Sequence, residues 1–149
     1  METTLTMEIL RTKTVLLVES NFDFLISVMT ALNMNASIAI TFQIVLEGAW
    51  AVNYMRGVVE YSDRERYPLP DLVLTDVNLP GMSGIELLAW IRQQPEFRNL
   101  PVVLMDSNSN QDSINQATEL GASSFLVKPS SIEMLSHFAR QVLEFLPSS

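Results

Sequence analysis

The sequence predicts an α/β fold in one domain: a parallel sheet of five strands covered by helices on both faces. Three observations carry that expectation. Short apolar runs alternate with longer segments of helical period, five times over and without an internal repeat. Most of those runs are nearly continuous in apolar residues, as strands buried on both faces are. Four of the five end on a charged side chain: Glu19, Asp76, Asp106 and Lys128. A chain of 149 residues has room for one such domain.

The elements follow in order. Thr14–Glu19 reads as the first strand. The helix after it carries Phe22, Leu25, Ile26, Met29 and Leu32 at 3.6-type spacing, with Ser20 and Asp23 as a capping-box-like start. Ile38, Ile40, Phe42, Ile44 and Leu46 alternate with Ala39, Thr41, Gln43 and Val45, which predicts a second strand near the sheet edge. Gly48 opens a helix with Trp50, Ala51, Tyr54, Met55 and Val58, the aromatics reading as packing residues. Tyr61–Pro70 reads as a polar surface loop in which Arg64 and Arg66 are solvated.

Asp71–Asp76 is the third strand. Ser83 with Glu86 caps a third helix that stops near Gln94-Pro95. Val102–Asp106 is the fourth strand. Ser109 with Asp112 caps a fourth helix that ends at Gly121 and offers only Ile114, Ala117 and Leu120 to the core, so it should be the most weakly held. Phe125–Lys128 is the fifth strand. Ser130 with Glu133 caps the last helix, with Ile132, Leu135, Phe138, Ala139, Val142, Leu143 and Leu146 on one stripe.

Composition narrows the function. Nine basic against seventeen acidic residues give a net charge of −8, which lacks the clustered cations of a nucleic-acid binder or of a protein adsorbed to anionic lipid. Without cysteine there is no disulfide, thiolate metal site or thiol nucleophile, and the single histidine, His137, rules out a two-histidine metal motif. His137 reads as a partly exposed packing residue. Charged residues are only 17% against roughly 25% in an average domain, so a face made to bind protein is expected. No apolar run reaches the ~18 residues of a membrane span. The run Val15–Val18 behind Arg11 and Lys13 is too short for a signal sequence. The expected organisation is a flexible tail over 1–12 and a single domain over 13–149, in the cytoplasm, with no output domain.

In an open α/β sheet, ligands bind outside the carboxyl ends of the strands where the order reverses. With the order 2-1-3-4-5, Glu19, Asp76 and Asp106 would converge on one crevice with Lys128 beside them. Three carboxylates and an ammonium make a hard-oxygen cation site that suits magnesium with a phosphate.

These residues carry a resemblance. Val15-Leu16-Leu17-Val18-Glu19, Asp71-Leu72-Val73-Leu74-Thr75-Asp76-Val77-Asn78-Leu79-Pro80-Gly81-Met82-Ser83-Gly84, Leu100-Pro101-Val102-Val103-Leu104-Met105 and Gly121-Ala122-Ser123-Ser124-Phe125-Leu126-Val127-Lys128-Pro129 resemble the bacterial response-regulator receiver domain, of flavodoxin-like (CheY-like) fold, from about Lys13 to Leu146. The long link before the third strand resembles small stand-alone receivers paired with phytochrome-type histidine kinases. The resemblance implies that Asp76 accepts a phosphoryl group from a sensor histidine kinase or phosphotransfer protein. It implies that Glu19, Asp76 and the Asn78 carbonyl hold Mg²⁺, that Lys128 contacts the phosphoryl oxygens, and that Phe125 is the aromatic switch. Output would be protein contact through the helix 4–strand 5–helix 5 face. Monomer and homodimer are both left open. The chain is then a phosphoacceptor that at most assists its own phosphorylation and dephosphorylation, rather than an enzyme.

Two positions depart from the family pattern. Ser20 stands where the family has a second acid, and Asp106 where it has a hydroxyl. Two carboxylates about 4 Å apart repel by ~4 kcal/mol at an effective dielectric near 20. Asp106 should therefore oppose phosphorylation of Asp76 unless it serves as a replacement metal ligand. Ser107 could supply the missing hydroxyl only if the strand end bulges by one residue. Ser20 reads most simply as a helix cap. The alternative function is a degenerate pseudo-receiver that binds protein without being phosphorylated. A metal-dependent phosphatase is disfavoured, because Asn78 stands two residues after Asp76 where a general acid is needed.

Overall fold

The structure is a computed structural model that describes residues 12–147. The expected tail falls almost wholly outside them. The strands are β1 (Thr12–Val18), β2 (Ala39–Val45), β3 (Leu72–Asp76), β4 (Val102–Asp106) and β5 (Ser124–Val127). The helices are α1 (Phe22–Asn35), α2 (Gly48–Arg56), α3 (Gly84–Gln93), α4 (Gln111–Glu119) and α5 (Ile132–Leu143). All pairings are parallel, in the order β2-β1-β3-β4-β5. This is the flavodoxin-like topology the sequence predicts.

Strand residues alternate between two cores. Leu16, Val18, Val73, Val102 and Leu104 face α2, α3 and α4, where they meet Ala51, Tyr54, Leu87, Leu88, Ile91 and Ala117. Val15, Leu17, Leu72, Leu74, Val103 and Met105 face α1 and α5, against Leu25, Val28, Leu32, Phe138, Ala139 and Val142. Burial on both faces is why these runs lack polar alternation. β2 is an edge strand, as its period of two predicts, with Ile44 on the exposed side and Val45 buried.

Several expectations are corrected. Three helix starts lie one residue later than predicted. Asn21 caps α1 through the Phe24 N–H (3.0 Å), Asn110 caps α4 through the Asp112 and Ser113 N–H groups (2.9 and 3.3 Å), and Ser131 caps α5 through the Met134 N–H (3.2 Å). Ser20, Ser109 and Ser130 do not cap. The motif is a serine with an acid three residues on, but an equally good cap follows each of these serines and the chain uses it. Among the described residues, only Ser83 and Glu86 form the full reciprocal box.

The apolar stripes are also narrower than the sequence suggests. Phe22, Ile26 and Ile132 are 64%, 61% and 88% exposed, and Trp50 is half exposed. Trp50 lies with Ile44, Leu46 and Ser20 along a surface groove instead of packing inside.

The loop over 61–70 is more than a solvated connection. Tyr54, Tyr61 and Tyr67 pack on one another in tilted and edge-on pairs at ring-centroid distances of 5.1 to 6.1 Å. Arg64 donates to the Tyr54, Met55 and Tyr67 carbonyls at 2.8 to 3.1 Å, tying the loop to the last turn of α2. Arg66 is exposed, as predicted. α4 has one buried residue, Ala117, which fits the expectation that it is the least anchored helix.

Candidate functional site

The strand ends deliver their charges to the carboxyl edge of the sheet. Asp76 and Asp106 are the last residues of β3 and β4, and Glu19 and Lys128 each follow a strand by one residue. Glu19, Asp76 and Asp106 are 1%, 5% and 6% exposed. Isolated carboxylates at such burial would be costly, so their partners define the site.

Lys128 joins two of them. Its ammonium is 2.6 Å from Glu19 Oε1 and 2.9 Å from Asp76 Oδ2. Burial pulls the lysine pKa down, but the hydrogen bonds and charges of Glu19 and Asp76 outweigh that, and the net value lies above that of an ordinary lysine. Glu19 Oε2 accepts the Ser20 and Asn21 N–H groups at 3.0 and 3.2 Å, which is why the cap of α1 falls on Asn21. Glu19 Oε1 is fully buried, and the Lys128 ammonium is its partner. Asp76 Oδ1 accepts the Asn78 N–H at 3.1 Å.

The loop after Asp76 is closed by the Gly84 N–H donating to the Val77 carbonyl at 2.9 Å. A Cβ on Gly84 would land on the Asp76 carbonyl oxygen, so a glycine there is what lets the start of α3 come this close.

Asp106 is held differently. Its Oδ1 accepts the Asn78 side-chain amide at 2.8 Å and lies 3.5 Å from the Asn108 N–H. Among the described residues, no three acidic or histidine side chains come together in a geometry that holds a metal ion. The three-carboxylate crevice expected from the sequence is therefore two carboxylates bridged by Lys128, with the third acid reached through Asn78. The β4–β5 register runs without interruption to the Asp106–Val127 pair, so no bulge brings Ser107 inward, and Ser107 is exposed. Phe125 is half-buried against the core beneath α4. Ser20 is exposed on the rim.

One contributor escaped the sequence reading. The Phe24 ring lies 4.8 Å from the Lys128 ammonium and packs edge-on against Phe138, so α1 and α5 together fix the lysine. The 3.6-type spacing puts Phe22 on the apolar stripe and passes over Phe24, and the structure reverses them. Only the rotation set by the Asn21 cap turns one inward and the other out.

A sheet in this order, with an aspartate and a lysine paired at its carboxyl edge, is the frame of a response regulator receiver domain. The family model of that name matches residues 15–140, and the chain belongs to that family. Within it, the chain is similar to proteins of the phytochrome-associated kind. It is 31% identical over 102 residues to response regulator Rcp1 of Synechocystis, covering 68% of this chain and 67% of that protein. The phosphorylated cyanobacterial phytochrome response regulator RcpA matches with a TM-score of 0.83 at 30% identity, over 92% of this chain and 95% of that one. The Mn²⁺-bound form of Rcp1 matches with 0.80 at 30% identity, over 92% and 96%. Against the chemotaxis protein CheY of Pseudomonas aeruginosa, the aligned stretch spans 60% of the relative's length. No helix among the described residues is long and apolar enough to cross a membrane.

The donors suit a hard divalent ion. The buried Glu19 Oε1 faces the Lys128 ammonium, and the Asp76 carboxylate lies across the same ammonium, so two hard-oxygen donors already share one cation. Magnesium takes one or two carboxylates and keeps its waters, which this pair can satisfy without a third acid.

Proposed function

We propose that the protein is a phosphorelay receiver that accepts a phosphoryl group on Asp76 from a sensor histidine kinase or phosphotransfer protein and signals by protein contact. The observation that carries this reading is the Lys128 ammonium 2.9 Å from Asp76 Oδ2. In the reaction, an Asp76 carboxylate oxygen attacks the phosphorus of a phosphohistidine. The P–N bond breaks, its electron pair stays on the imidazole nitrogen, and an acyl phosphate forms on Asp76. Little covalent help is needed beyond positioning and charge neutralisation. Lys128 neutralises the carboxylate before transfer and pairs with a phosphoryl oxygen after it. The Asn78 N–H and the Gly84 turn hold Asp76 in place. Glu19, Asp76 and the Asn78 carbonyl would hold Mg²⁺, which when bound offsets the charge of the incoming phosphoryl group. On this reading the chain is a phosphoacceptor of the cytoplasm rather than an enzyme acting on a separate substrate. Its output face runs over α4, β5 and α5, where Val127 and Met134 are exposed beside the half-buried Phe125.

The pseudo-receiver reading is kept by Asp106, a carboxylate where a hydroxyl would follow the phosphoryl group. Acetyl phosphate with Mg²⁺, followed by intact-mass measurement, separates the two. Uptake of one phosphoryl group that disappears in Asp76→Asn supports the receiver. An unchanged mass, with a cognate kinase as well, supports the pseudo-receiver.

A further inference from the structure

We propose that Asp106 and Asn78 form a latch that a phosphoryl group on Asp76 opens by charge repulsion, releasing the loop over 107–110 and loosening α4. This rests on the reading of Asp76 as phosphoacceptor and adds to it a direction of motion.

Asn78 hydrogen-bonds to the carboxylates of both acids. Its backbone N–H binds Asp76 Oδ1 at 3.1 Å and its side-chain amide binds Asp106 Oδ1 at 2.8 Å. Asp106 is fixed at its backbone, because its carbonyl accepts the Lys128 N–H at 2.8 Å within the β4–β5 seam. The part left free to move is the carboxylate. The same Oδ1 lies 3.5 Å from the Asn108 N–H, so the carboxylate also reaches into the loop that leads to α4. Two residues further on, Asn110 caps α4, and Ala117 is the helix's one buried residue. Little else among the described residues resists a shift of that helix.

Charge decides the direction. A phosphoryl group brings roughly −1.5 to −2 units of charge. An ionised carboxylate has no proton to donate, so Asp106 cannot follow the phosphoryl group inward as a hydroxyl would. Lys128 is already committed to Glu19 and Asp76 beneath the Phe24 ring. The negative charge that Lys128 and bound Mg²⁺ leave uncompensated drives the Asp106 carboxylate away, its bond to Asn78 is lost, and the loop is freed. The device works by expulsion.

Hydrogen exchange read by mass spectrometry over residues 107–120 tests this, with phosphoryl occupancy read by intact mass on the same samples. Phosphorylation of the wild type should speed exchange there about fivefold, the scale of losing one hydrogen bond. Asn78→Ala should reach a similar rate without phosphate, and because Asn78 is exposed the truncation leaves the core intact. Asp106→Asn keeps an acceptor for Asn78 and removes the charge, so at equal occupancy its exchange should stay at the unphosphorylated level. Exchange that slows or stays unchanged on phosphorylating the wild type would overturn the latch. So would an accelerated phosphorylated Asp106→Asn, or an Asn78→Ala protein no faster than wild type. Absence of phosphate uptake in every variant defeats the phosphoacceptor reading alone, and the Asn78→Ala comparison still decides whether the latch exists.

Discussion

The Lys128 ammonium bridges Glu19 Oε1 and Asp76 Oδ2 at 2.6 and 2.9 Å, so one cation from the end of β5 holds together two acids from β1 and β3. Removing it strands a carboxylate that is 1% exposed. Lys128→Met should lower stability by about 3 kcal/mol, the cost of breaking a buried pair on one side. Adding Glu19→Gln to that variant should restore most of the loss. Urea unfolding at neutral pH measures both.

Gly84 controls how closely α3 approaches Asp76. A Cβ there collides with the Asp76 backbone oxygen and also crowds Val77 Cα at 3.0 Å. Gly84→Ala should cost about 1–3 kcal/mol, as overpacking against backbone does, and should displace Asp76. The check is urea unfolding combined with the rate of phosphoryl uptake, which should fall in the same variant.

The caps give a paired test. Asn110 accepts two N–H groups at the start of α4, whereas Ser109 accepts none. Asn110→Ala should destabilise by about 1 kcal/mol and Ser109→Ala by a few tenths at most. Thermal unfolding of the two variants side by side decides between the caps.

Burial pushes the Tyr54 phenol up to about 12 from 10, and its OH donates to the Pro68 carbonyl at 2.6 Å. The folded state therefore keeps a proton that the unfolded state gives up from pH 10 onward. The stabilisation is fully present below pH 10 and is lost as pH rises toward about 12. The loss should be on the order of 2 kcal/mol relative to Tyr54→Phe, which lacks this residue's share of the dependence. Urea unfolding of both proteins across that range measures the difference.

The sheet was legible because Leu16–Val18, Leu72–Leu74 and Val102–Met105 have no polar face to hide, and β2 was legible because it has one. The charges that end the strands were legible for the same reason, as abrupt breaks in apolar runs. Their partners were not. Asp106 has the same one-dimensional signature as Asp76, and nothing along the chain says that Asn78 would fold its amide onto one and its backbone N–H onto the other. Helix rotation was equally hidden. It depends on which of two adjacent capping residues the chain uses, and at α1 that is decided by the Glu19 carboxylate holding the Ser20 and Asn21 amides. Arg64 looked like a solvated loop residue because its partners are carbonyls, which every residue has.

Asp76 is the acid proposed to accept the phosphoryl group, with Lys128 beside it. Hydroxylamine converts an acyl phosphate to a hydroxamate and so marks the carboxylate that carried it. After treatment with acetyl phosphate and Mg²⁺, peptide mass mapping should place the hydroxamate on Asp76, with much less of it in Lys128→Met. A hydroxamate on Asp106 or Glu19, or none on any of the three, would contradict the account.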